Sequence, residues 1–164
     1  LSKSYRSTAP INEFAFDIIG IHNSELYVER DGKQQEVRVC KNQKKEIQRL
    51  LKEIPEDKSV AILTADLDSA RYVQQKMGFT VPDTDRPIQY LLKSNQYLEE
   101  KIVVMPIMLA KGLEFDVVIV WDDRSENYWE ENKNLKYLMC TRALHELYFM
   151  SQEENKRDGS SKIY

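Results

Sequence analysis

Apolar positions along the chain fall into two periods, and the alternation between them is the first thing the sequence shows. Ile11, Phe14, Ala15, Ile18 and Ile19 recur at helical spacing, with Thr8 as N-cap, Pro10 in the first turn and Gly20 as stop. Leu26–Glu29 and Gln35–Cys40 flank Asp31-Gly32, which predicts a hairpin. A helix over Lys44–Ile54 puts Ile47, Leu50, Leu51 and Ile54 on one face. Val60–Leu63 has the continuous apolar character of a buried strand. Asp66 opens a helix that carries Ala70, Val73 and Met77 and stops at Gly78.

The second half repeats the alternation. Thr80–Tyr90 is a loop running into a short strand, and Ile102–Ile107 is a strand broken by Lys111-Gly112. Val117–Trp121 is the most strand-like stretch, apolar on both faces. Asp122–Glu131 carries six charged residues, five of them acidic, and is expected to be an exposed loop. A helix over Lys133–Leu144 and a last strand over Leu147–Met150 follow, with 152–164 as a frayed tail. Strands that alternate with helices, and are apolar on both sides, predict an α/β domain with a mostly parallel sheet covered on two faces. Ligands in such sheets gather at the carboxyl ends of the strands, so functional loops are expected just after strands.

Composition narrows the function. With 164 residues, 41% hydrophobic and 31% charged, the chain has the size and composition of one globular domain. No apolar run approaches the ~20 residues of a membrane span. A formal charge of −3 excludes bulk phosphate neutralisation as the main activity, so a nucleic acid would have to meet a local groove. Cys40 and Cys140 are expected as buried free thiols in a reducing cytosol, and with only His22 and His145 there is no metal-ligand spacing.

Three stretches carry chemistry: Ser4-Tyr5-Arg6-Ser7-Thr8, Ala110-Lys111-Gly112-Leu113-Glu114-Phe115-Asp116, and Cys140-Thr141-Arg142-Ala143-Leu144-His145-Glu146-Leu147. Singly, each has a plain reading: a packing aromatic beside a surface charge, a turn after a strand, a solvated helix face. In this order and with this spacing they resemble motifs IV, V and VI of UvrD/Rep-type superfamily 1 helicases, nearly end to end. The resemblance implies a RecA-like fold, a three-layer sandwich without its own P-loop. It would be the C-terminal motor domain of an ATP-dependent helicase or translocase, with residues 1–164 a piece of a longer chain.

The same resemblance implies the site. Tyr5 would stack on the adenine, Arg6 would reach the γ-phosphate, Glu114 would bond the ribose and Arg142 would be the arginine finger. Thr141, Lys111 and Gly112 would shape the cleft. A guanidinium suits the finger because it keeps its charge and grips phosphate oxygens with a rigid fork. No Gly-x4-Gly-Lys-Ser/Thr run is present. ATP and Mg2+ would therefore be held largely by an N-terminal RecA-like domain of the same polypeptide, and the piece alone is expected to be inactive.

One departure narrows the subfamily. Where typical relatives place a Thr and a His that touch DNA, this chain has Pro106 and Met108. With the surrounding motifs this looks most like HelD-type proteins of Gram-positive bacteria, some of which bind RNA polymerase. Expected partners are single-stranded DNA or RNA polymerase, acting on a cytoplasmic monomer. A DNA-unwinding repair helicase and a non-catalytic RecA-like interaction module remain as alternatives. Trp121 and Trp129 are read as packing residues, His145 as a cap of the motif VI helix. Lys41, Lys44, Lys45, Arg49 and Lys52 form a basic helix face, solvated or turned to an acidic partner.

Overall fold

The computed structural model describes residues 36–152. Six strands form one sheet: β1 (Glu36–Cys40), β2 (Val60–Thr64), β3 (Ile88–Tyr90), β4 (Ile102–Pro106), β5 (Phe115–Asp122) and β6 (Ala143–Gln152). Their order is β1-β6-β5-β2-β4-β3, and every pairing in it is parallel. Four helices connect them: α1 (Gln43–Glu53), α2 (Leu67–Met77), α3 (Glu126–Glu131) and α4 (Lys133–Cys140). The RecA-like three-layer α/β fold expected from the sequence is the one observed.

Strand parity builds the layers, because successive side chains point to opposite faces. Val60 and Ile62 with Ile102, Val104, Val117 and Ile119 face one side, where Ile47, Leu50, Leu51 and Ile54 of α1 and Val73 and Met77 of α2 cover them. Ala61 and Leu63 with Val103, Met105, Val118 and Val120 face the other, under Trp129, Met139 and Cys140 of α3 and α4. Both tryptophans are core residues, as expected. Helix ends follow local rules: Asn42 and Asp66 accept the Lys45 and Ser69 amides, and Gly78 takes φ +71° after α2.

Five expectations change. Asp122–Glu131 is not an exposed loop: β5 runs through Asp122, α3 follows, and Asp122, Asp123, Ser125 and Trp129 are buried. Their charges are satisfied internally, which a count of charged residues cannot reveal. The helix over Lys133–Leu144 ends at Cys140, because residues from Ala143 onward pair with β5. His145 therefore lies in β6 and caps nothing. Gln152 belongs to β6, not to a tail. Cys40 is only half-buried, whereas Cys140 is fully buried; both are free thiols. The predicted Ile11–Ile19 helix, the Leu26–Glu29 arm of the hairpin, Tyr5, Arg6 and residues 153–164 lie outside the described residues; the described partner of β1 is β6.

Candidate functional site

The chain reaches β5 through a short, tightly bonded connection. A 3-10 turn at Ile107–Leu109 follows β4, and the Ala110 and Leu113 amides close on Ile107 and Ala110 carbonyls. Lys111 and Gly112 are exposed, and Gly112 sits at φ +80°, a left-handed conformation that L side chains resist. Glu114 is half-buried, and Phe115 anchors the strand in the core at 1% exposure.

The approach to β6 is as compact. Met139 and Cys140 are buried at the end of α4. The Thr141 amide bonds to Tyr137 O at 3.0 Å, the Thr141 hydroxyl to Leu138 O at 2.9 Å, and the Arg142 amide to Met139 O at 3.3 Å. The Arg142 guanidinium lies 3.4 Å from the Thr141 hydroxyl, and the residue is 9% exposed.

The two approaches meet. The Phe115 amide donates to Arg142 O at 2.9 Å, and Phe115 is the register partner of Ala143. Glu114 and Arg142 thus stand side by side, each one residue ahead of a paired strand start. Glu114, Thr141 and Arg142 stand at the amino edge of the sheet, and Lys111 and Gly112 lie in the turn that leads to it. This corrects the expectation that functional loops follow strands: a parallel crossover returns the chain to the amino edge before each new strand, and both motifs lie at the end of such a return. Of the residues the sequence analysis put at the departure, Pro106 ends β4 at the carboxyl edge and Met108 beyond it is 64% exposed.

The carboxyl edge is closed by its own side chains. Connections after β2 and β5 leave on opposite faces, so the crevice between these neighbours is the place where doubly wound sheets bind ligands. Arg124 fills it. Its Nε donates to Asp123 Oδ1 at 2.9 Å, and its terminal nitrogen reaches Asp66 and the Ser69 hydroxyl. The Ser69 hydroxyl donates to Asp123 Oδ2 at 2.6 Å, and Trp129 Nε1 to Asp122 Oδ1 at 2.7 Å. Burial pushes the Asp123 carboxyl up, against the opposing pull of Ser69 and Arg124. Burial also opposes ionisation of Asp66, but the Ser69 hydrogen bonds and the Arg124 charge hold it below the ordinary carboxylate range.

Three polar residues at the amino edge, Ser59, Asp116 and His145, had no site role in the sequence analysis. Asp116 Oδ2 accepts from the Ser59 amide at 2.9 Å and the Ser59 hydroxyl at 3.1 Å, and the Asp116 amide donates back to Ser59 Oγ at 2.9 Å. His145 Nε2 lies 3.8 Å from Asp116 Oδ1. Asp116 was visible within the motif, but nothing local marks Ser59. On α1, Arg49 pairs with Glu46 and Lys52 with Asp83, so part of the basic face is neutralised.

The comparisons with known proteins agree with this architecture. The family model described as UvrD-like helicase C-terminal domain matches residues 101–150, the span that contains both assembled motifs. These residues are thus similar to UvrD-like helicase C-terminal domains, and they lie in a RecA-like α/β fold. Among solved structures, the C-terminal domain of a possible DNA helicase from Lactobacillus plantarum WCFS1 is similar at 27% identity and a TM-score of 0.64, covering 91% of this chain and 88% of that one. The PRRSV nsp10 helicase aligns at 13% identity and a TM-score of 0.39 over 79% of this chain and 27% of that one, too distant to carry an argument. No curated protein matches.

Proposed function

We propose that this chain is the second motor domain of an ATP-driven UvrD-type helicase or translocase, and that its amino edge forms half of a nucleotide cleft. The observation that supports this is the adjacency of Glu114 and Arg142, fixed by the Phe115–Arg142 backbone bond. Glu114 offers an acceptor for ribose hydroxyls. Arg142 offers a permanent charge for the phosphoryl oxygens, a contribution that accelerates phosphoryl transfer by about 10³- to 10⁵-fold in nucleotidases. Lys111, Gly112 and Thr141 shape the wall beside them, and by the motif resemblance Tyr5 and Arg6 would serve the adenine and the γ-phosphate. The donor set fits a triphosphate but not its Mg2+, since the described residues hold no cluster of metal ligands. The metal and the P-loop belong to an N-terminal RecA-like domain. Arg142 is covered against Thr141 in this conformation, so domain closure has to draw it out, which makes turnover conditional on closure.

The departure at the carboxyl edge favours a HelD-like role. Exposed Met108 has no donor for a phosphate and offers an apolar contact suited to a protein surface such as RNA polymerase. The reading is of a monomeric bacterial cytoplasmic enzyme that remodels such complexes. The test is ATP turnover of the full-length protein with and without single-stranded DNA. Strong stimulation makes DNA the track; a DNA-insensitive rate, raised by RNA polymerase, supports the remodelling role. Arg142→Ala should lower turnover by about 10³-fold or more while nucleotide binding persists. A near-normal rate overturns the finger role, and absence of any ATP binding by the full-length protein favours an interaction module.

A further inference from the structure

We propose that Asp116 is a positioning residue for ATP turnover, tying the starts of β2, β5 and β6 together so that Glu114 and Arg142 are presented as one unit; this rests on the nucleotide-cleft reading above.

Ser59 immediately precedes β2, and its amide, hydroxyl and carbonyl are all committed to β5: the first two to the Asp116 carboxylate, the last to the Val117 amide at 3.0 Å. On the other flank the β5–β6 ladder is irregular. Phe115 pairs with Ala143 but Val117 with Glu146, so two residues of β6, Leu144 and His145, oppose Asp116 alone. Such a bulge leaves the extra residue unpaired and re-aims the chain beside it. Asp116 sits at that irregularity, with His145 facing its second oxygen. One residue before it, Phe115 holds the Arg142 carbonyl; two before it stands Glu114. A carboxylate that is about three-quarters covered and fixed by hydrogen bonds to a neighbouring strand start is a rigid peg. Without it, the bulge and the exposed Lys111-Gly112 turn leave the β5 start with fewer restraints. Small displacements of a catalytic group cost heavily, about 10²-fold for a misplacement near 1 Å.

The test is a double-variant cycle in the full-length protein, read as kcat and KM for ATP. Asp116→Ala should lower kcat by about 10- to 100-fold with KM for ATP within a few-fold of wild type. Asp116→Asn, which keeps an acceptor for the Ser59 amide, should recover most of that loss. In an Arg142→Lys background, which retains a charge and measurable turnover, Asp116→Ala should cost less than about threefold, because the group it positions is already compromised. A purely structural role would give the same factor in both backgrounds, and that result overturns the proposal. So does a wild-type kcat in Asp116→Ala. If Asp116→Ala does not fold, Ser59→Ala, which removes only the two hydroxyl bonds, carries the same cycle with the same criteria. A wild-type rate in Arg142→Lys overturns the arginine reading itself; a multiplicative loss with an impaired Arg142→Lys overturns positioning alone.

Discussion

Arg124→Ala tests the carboxyl-edge network where it is most exposed to refutation. The Arg124 side chain is 13% exposed and lies between Asp123, whose side chain is fully buried, and Asp66, which is 43% exposed. Removing the arginine strands the Asp123 carboxylate with the Ser69 hydroxyl as its remaining named partner. Breaking a buried pair from one side costs about 3–5 kcal/mol. The Asp66 arm is screened by solvent and adds at most about 1 kcal/mol. Burial already pushes the Asp123 carboxyl up, so proton uptake once the arginine is gone limits the loss. The expected outcome is therefore about 3 kcal/mol, on the order of 10 °C in Tm for a domain of this size. The sign with pH follows. A carboxyl whose folded pKa is raised contributes stability that is present below its unfolded value and lost as pH rises through the folded one. The deficit of Arg124→Ala should therefore be largest near neutral pH and shrink as pH falls toward the carboxylate range. Asp66 works the other way, its contribution fading as pH falls through its lowered value. Chemical denaturation at several pH values measures this, with Asp123→Asn/Arg124→Leu as the control that removes both charges. The double variant should be more stable than Arg124→Ala alone at neutral pH. A single-variant loss under about 1 kcal/mol, or a deficit that grows on acidification, refutes the reasoning.

Two further outcomes are expected. Gly112→Ala meets no neighbouring atom but must adopt φ +80°, so it should cost about 1 kcal/mol in stability and lower ATP turnover of the full-length protein more than its stability loss explains; a variant equal to wild type in both assays rejects the strained-turn account. Burial pushes the Cys140 thiol up to about 12, while Cys40 is half-buried, so a thiol reagent at mildly alkaline pH should label Cys40 on native protein and spare Cys140 until unfolding; equal rates on Cys140→Ser and Cys40→Ser variants would show that the α4–β6 core opens readily.

The sheet was legible because fully buried parallel strands write themselves as unbroken apolar runs. Val60–Leu63 and Val117–Trp121 are of that kind, and both are central strands. The candidate site was legible only as motifs. That Glu114 and Arg142 are neighbours depends on the β5–β6 register, which no local pattern states. The errors have two causes. Met139, Cys140, Ala143 and Leu147 keep helical spacing past the true end of α4, and pairing with β5 overrides it. The acidic run after β5 hides a buried network because its partners, Asp66 and Ser69, lie more than fifty positions earlier. Ser59 and Asp116 escape for the same reason, being 57 positions apart.

These long-range pairs also distinguish the two edges of the sheet. At the carboxyl edge the open crevice between β2 and β5 is occupied by Arg124, whose guanidinium is spent on Asp66, Asp123 and Ser69. A nucleotide arriving there would have to displace a charged group already satisfied on three sides. At the amino edge, Lys111 and Gly112 are exposed, Glu114 is half-covered, and the Arg142 guanidinium lies 3.4 Å from the Thr141 hydroxyl. The edge with satisfied charges resists a ligand, and the amino edge sets an arginine beside a carboxylate, the pair on which the proposed nucleotide cleft rests. Helix α4 joins the two, starting just after Trp129, which is bonded to Asp122 at the closed edge, and ending at Thr141-Arg142 at the other. One helix thus links the internally bonded edge to the strand start that carries Arg142.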